Sequence, residues 1–145
     1  MVIQDLTGKT VFLDTAPLIY FIEGHSSYQR ALASLFELND AGGFMLLTTT
    51  ITLLEVLVKP LREGNLAVAR QYRDILTNAP NIEILDVSTS MAEKAALLRA
   101  MHNLKTPDSI QLAAALEAGA DYFLTNDLKL RAVTEITVVA VSELV

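Results

Sequence analysis

The chain contains no cysteine, which excludes disulfides and thiolate metal sites and fits a reducing compartment. It has no run of about 18 apolar residues, the minimum for a helix that spans a bilayer. Its opening, MVIQDLTGKTVFLD, lacks the basic-then-apolar layout of a secretion signal, so the expected location is the cytoplasm. Neither G-x-G-x-x-G nor G-x-x-x-x-G-K-[ST] occurs, which argues against dinucleotide and P-loop chemistry. There is no internal repeat and no Pro/Ser-rich linker, and 145 residues suit one domain, residues 1–145, with a substantial core. Positive charge is also scarce: 17 acidic against 11 basic residues give a net charge of -6. A protein that coats a duplex is usually basic, so any contact with nucleic acid must be local or helped by cations.

What is present is an alternation of short apolar runs and amphipathic stretches. Thr10 to Leu13 reads as a strand buried on both faces, ending at Asp14. Thr15 and Pro17 open a helix to about Ile22, which Gly24 ends. Ser26 or Ser27 can cap the next helix, with Tyr28, Leu32, Leu35, Phe36 and Leu38 near helical spacing, and Gly42 and Gly43 stop it. Phe44 to Leu47 is a second strand. Thr50 or Thr52 can cap a helix that carries Glu55 and is made irregular by Pro60 and Gly64. Leu66 to Asn78 is a long amphipathic helix and Ile82 to Leu85 a third strand. Ser88 or Ser90 caps a helix whose Met91, Ala95, Leu98 and Met101 share a face. Leu104 to Arg131 reads as helix, turn, strand and a second helix start, and Thr137 to Val141 closes the chain as a strand. Strand-helix alternation of this kind predicts a three-layer α/β/α sandwich around a central, mostly parallel sheet of four to five strands. Right-handed crossovers place all strand C-termini at one edge, where open α/β folds put their chemistry.

Four acids fall where they can reach that edge. Asp14 follows the first strand, Glu55 lies in the helix after the second, Asp108 opens the helix before the fourth, and Asp127 follows the fourth. Each has an ordinary alternative. Asp14 and Asp127 can cap helices, Asp108 in TPD can answer a helix dipole behind a Thr106 cap, and Glu55 can pair with Lys59 at i+4. Taken together they form a like-charge group that a divalent cation would neutralise. Oxygen ligands without cysteine or clustered histidine suit Mg²⁺ or Mn²⁺ better than Zn²⁺. Such an ion activates water and stabilises charge on a phosphoryl oxygen. Thr15, Thr125 and Asn126 are placed to orient carboxylates or water. His25 and His102 have no partner spacing and read as surface residues. Asp121 reads as a turn residue near enough to the strand to support the site indirectly. Lys59, Arg62, Arg70, Arg73, Lys105, Lys129 and Arg131 read as a mainly solvated face, and those beside the cleft could touch phosphates. Tyr20 and Phe21 read as core.

FLDTAPLIYFIE, TITLLEVLVKPL and LKTPDSIQLAAALEAGADYFLTNDLKL together resemble the PIN domain family, in particular the VapC-type ribonuclease toxins of bacterial toxin–antitoxin pairs. The third segment is the most specific. The first departs slightly, with DTAPLIY where many relatives carry Asn or Ser after DT. The resemblance maps the family's acidic quartet onto Asp14, Glu55, Asp108 and Asp127, as metal ligands and catalytic groups, and its polar helpers onto Thr15 and Asn126. It implies Mg²⁺- or Mn²⁺-dependent endoribonuclease activity on RNA, commonly tRNA or ribosomal RNA, a homodimer, and a small cognate antitoxin. The competing readings are a PIN-fold RNA-processing nuclease outside a toxin system and a non-catalytic PIN-fold binding module. A phosphoacceptor receiver domain needs a lysine at the end of a late strand, and TVVAVSELV has none.

Overall fold

The apolar runs become five strands; four are largely buried on both faces, while Ile82–Leu85, at one edge of the sheet, exposes Glu83. The computed structural model describes residues 1–144. Its strands are β1 (Thr10–Leu13), β2 (Met45–Thr49), β3 (Ile82–Leu85), β4 (Tyr122–Thr125) and β5 (Thr137–Ala140), and its helices are α1 (Thr15–Glu23), α2 (Gln29–Asp40), α3 (Thr50–Arg62), α4 (Leu66–Asn78), α5 (Thr89–His102) and α6 (Thr106–Glu117). Short 3₁₀ turns cover Ile3–Leu6, Leu128–Ala132 and Val141–Glu143. The sheet order is β3-β2-β1-β4-β5, with every neighbouring pair parallel. This is the three-layer α/β/α arrangement that the alternation implied.

The period-2 geometry of a strand divides the core in two. Val11, Leu13, Leu46, Leu124 and Val139 face a layer made by Leu18 of α1, Leu32, Leu35 and Phe36 of α2, Val56 of α3, and Tyr72 and Leu76 of α4. Phe12, Leu47, Phe123 and Val138 face Met91, Ala95 and Leu98 of α5 and the Leu112–Ala115 run of α6. Phe12 and Phe123 stack with centroids 5.3 Å apart. Ala113, Ala114 and Ala115 are fully buried, since their small side chains let α6 lie close on the sheet. Among the described residues no helix is long and apolar enough to cross a membrane.

Several boundaries differ from the sequence reading, each for a local reason. β2 starts at Met45 and runs on to Thr49, because buried Thr48 and Thr49 find hydrogen-bond partners inside the fold. The cap of α3 is Thr49, which accepts from the Ile51 amide at 3.1 Å, rather than Thr50 or Thr52. Pro60, expected with Gly64 to make the end of α3 irregular, stays inside the helix with its ring buried. Neither Ser26 nor Ser27 caps α2; the Ser27 amide donates to His25 Nδ1 at 3.1 Å and Tyr28 occupies the cap position. Thr106 is the first residue of α6 rather than its cap, its hydroxyl being taken by Arg99 Nη1 at 2.9 Å. Ser88 caps α5 as expected, accepting from the Met91 amide. Met101 leaves the buried face of α5 and is 61% exposed.

Candidate active site

The strand order places the reversal of direction between β1 and β4, since the chain winds outward from β1 to β2 and β3 and then outward again to β4 and β5. A crevice at the C-terminal ends of the strands is expected at that point. Asp14 stands at the exit of β1 and Asp127 two residues past β4. α1 and α3, which directly follow β1 and β2, begin at this edge, and α6, which leads into β4, also begins here. Asp108 in the first turn of α6 and Glu55 in the second turn of α3 are therefore carried to the same side.

Asp14 is held from two directions. Its Oδ1 accepts from the Thr15 amide at 2.9 Å and its Oδ2 accepts from the Thr125 hydroxyl at 2.8 Å. The same hydroxyl accepts from the Asp127 amide at 3.1 Å, so one buried threonine ties the exits of β1 and β4 together. Asp127 Oδ1 in turn accepts from the Lys129 amide at 3.0 Å. The Thr15 hydroxyl donates to Glu55 Oε1 at 2.8 Å. Glu55 does not pair with Lys59, whose ammonium reaches Glu23 at 3.4 Å instead.

The four acids feel one another. Burial pushes the Asp14 carboxyl up to about 6; hydrogen bonds from Thr15 and Thr125 oppose this, and the charges of Asp108 and Glu55 add to it. Asp108 is also raised, first by burial and then by Asp127 and Glu55, with Lys105 pulling the other way. Uncompensated negative charge is thus concentrated at this edge. Among the described residues, however, no three acidic or histidine side chains stand within grasp of one ion. Asp14, Glu55 and Asp127 are each turned toward a protein donor. The donor set still fits an oxygen-seeking divalent cation, because a carboxylate has about four lone-pair positions and the protein fills only one on each bonded oxygen. Binding would need the exposed Glu55 and Asp127 side chains to turn inward.

Beneath the acids lies a buried polar network that the sequence reading did not assign. The Thr48 hydroxyl donates to the Leu13 carbonyl at 2.9 Å and lies 2.8 Å from the Thr52 hydroxyl. Thr52 accepts from Gln111 Nε2 at 2.6 Å, and the Thr49 hydroxyl donates to Gln111 Oε1 at 2.5 Å. Thr52 also lies 3.4 Å from the Thr15 hydroxyl. All but Thr15 are at most 1% exposed. The run Thr48-Thr49-Thr50 at the exit of a buried strand was the available signal; Gln111, among Leu and Ala, gave none.

Asn126 does not touch a carboxylate. Its Nδ2 donates to the Tyr20 hydroxyl at 2.8 Å, and Tyr20 packs with His25 and Tyr28. Asp121 is at the opposite edge of the sheet, where its Oδ2 accepts from the Thr10 amide, so it cannot support the site. His102 is paired with Glu135 at 3.2 Å and is not a free surface group.

A family model of the PIN domain matches residues 11–136. The chain belongs to the PIN domain family. Solved structures similar to this PIN domain include VapBC2 from Rickettsia felis bound to a DNA fragment from their promoter, at 18% identity and TM-score 0.71, covering 90% of this chain and 98% of that one. A toxin–antitoxin complex from Klebsiella pneumoniae is 24% identical, with TM-score 0.71 and coverage of 90% and 97%. VapC20 of Mycobacterium tuberculosis, described as a sarcin-ricin loop cleaving toxin, is 16% identical, with TM-score 0.70 and coverage of 85% and 94%. At these identities the likeness concerns the fold. No curated protein is a significant sequence match.

Proposed function

We propose that this PIN domain is a divalent-metal-dependent endoribonuclease and the toxin of a toxin–antitoxin pair. The observation that carries the reading is the gathering of Asp14, Glu55, Asp108 and Asp127 at the switch-point edge, where Thr15 and Thr125 link Asp14, Glu55 and Asp127 and one cavity joins Asp127 to Asp108. Membership of the family and toxin–antitoxin complexes among the similar structures support it further.

Asp14 and Asp108 would be the principal ligands of Mg²⁺ or Mn²⁺, with Glu55 and Asp127 completing the set. When bound, the ion supplies a more acidic water and charge neutralisation at the phosphoryl group. The chain's own residues do the rest. Thr125 fixes the Asp14 carboxylate and the Asp127 backbone relative to each other, Thr15 restrains Glu55, and the Thr48-Thr49-Thr52-Gln111 network keeps α3 and α6 from shifting beneath them. Asn126 acts at one remove by anchoring the β4 exit to Tyr20.

The test is cleavage of an RNA panel that includes tRNA and ribosomal RNA, with Mg²⁺, Mn²⁺ or chelator. Asp14→Asn and Asp108→Asn should each lower kcat/KM at least ~100-fold, the scale on which loss of a central charge-stabilising group acts, and chelation should do the same. Cutting that survives both substitutions would reject the assignment. RNA binding without cutting would favour a non-catalytic PIN-fold module, a reading consistent with the carboxylates as they are oriented here. Growth arrest on induction, relieved by the small protein encoded next to it, would separate a toxin from an RNA-processing nuclease.

A further inference from the structure

On the α5–α6 side of the acids is a cavity of about 310 Å³ whose wall includes His102, Asn103, Lys105, Asp108, Asp127 and Lys129. Two of the four site carboxylates therefore line this cavity. The lysines come from separate elements: Lys105 from the loop before α6, Lys129 from the 3₁₀ turn after β4. Both are exposed, and among the described residues neither is in a salt bridge. His102 is committed to Glu135. The loop is pinned as well, since Arg99 Nε donates to the Leu104 carbonyl at 2.8 Å and Asn103 takes a left-handed conformation with φ 54°. The wall that presents Lys105 is thus formed before anything binds.

A chain with net charge -6 needs local cations to hold a polyanion. Here two uncommitted ammonium groups flank a space continuous with the acids, and its volume is at the lower end of the ~300–1,000 Å³ range of ligand pockets. That suits a single nucleotide unit better than a duplex segment. We propose that this cavity seats the nucleotide adjoining the bond to be cut, with Lys105 and Lys129 bracketing its phosphate. The proposal rests on the nuclease reading, and it makes the two lysines positioning residues for one strand of RNA.

The test is binding of a short fluorescent single-stranded RNA by the full chain carrying Asp14→Asn, with Mg²⁺ and with chelator, across a salt series. Lys105→Gln and Lys129→Gln together should reduce the slope of log Kd against log salt by about 0.7, the value for one phosphate neutralised on a single strand, and each alone by a part of it. Lys9→Gln, just before β1 at the opposite edge, should leave the slope unchanged. Neutralising single linkages as 2′-deoxy methylphosphonates, against 2′-deoxy phosphodiester controls, should reveal one linkage whose neutralisation costs the lysine-intact protein about tenfold, as expected for a charge-assisted contact. The double glutamine variant should be insensitive there. Unchanged slopes, additive linkage effects or no measurable RNA binding would overturn the proposal. Reduced slopes beside a wild-type chain that cuts no RNA would uphold the lysine-bracketed nucleotide seat and reject the nuclease reading on which its place beside a cut bond rests.

Discussion

A carboxyl group that is hard to ionise inside a fold makes that fold sensitive to pH, and Asp14 is such a group. Its ordinary value is 3.8 and its value in the folded chain about 6, so between these the folded state binds more protons than the unfolded one. Stability from this group is complete below about pH 4 and is lost as pH rises through 6. With chelator present, urea denaturation should therefore show a fall on the order of 2 kcal/mol across that window, at about 1.4 kcal/mol per pKa unit with a discount for partial solvent contact. Asp14→Asn should flatten the profile, and added Mg²⁺ should restore stability at pH 8 in the unsubstituted chain alone. The residue's position was legible from an acid directly after an apolar run. Its restraint by Thr125 was not, because that bond joins residues 111 positions apart and depends on β1 and β4 being neighbours.

At the scale of elements, the inner strands could be read because burial on both faces leaves a short apolar run, the edge strand β3 because only Glu83 interrupts its apolar residues, and the helices because α2 and α4 keep one apolar stripe. What could not be read was where polar residues go when the sheet buries them. Thr49 lies past the strand end expected at Leu47 and is a strand residue, a cap and a hydrogen-bond donor to Gln111. Gln111, to which the sequence gave no role, is 1% exposed and joins α6 to β2 and α3. Gln111→Leu would leave the Thr49 and Thr52 hydroxyls without that partner, which should destabilise the chain by ~1–3 kcal/mol. Thermal or urea unfolding checks this. The same substitution should also lower kcat/KM for RNA, since α3 carries Glu55 and α6 carries Asp108.

The whole molecule presents more than an acidic edge. Leu54, Val58, Leu61 and Leu66 are 42–61% exposed, and a groove of about 440 Å³ between α3 and α4 is lined by Leu57, Leu61, Leu66, Ala69, Arg70 and Arg73. An apolar floor with two arginines at its side fits an amphipathic acidic segment laid into the groove. Leu61→Glu with Leu66→Glu should abolish co-purification with the neighbouring small protein while leaving the melting temperature nearly unchanged. Loss of self-association on a sizing column, with the small protein still bound, would assign the face to a second copy of the chain. Composition gave the balance of charge over the molecule; the gathering of the arginines beside leucines required α3 and α4 to be packed as a pair.

The clasp that Arg99 makes on Leu104 and Thr106 has a thermodynamic consequence. A segment already fixed in the free protein surrenders little conformational freedom when a ligand arrives. Calorimetry should accordingly find a modest entropic penalty for oligonucleotide capture, and Arg99→Met should enlarge it, weakening affinity while the enthalpy of the remaining contacts stays close to its original value.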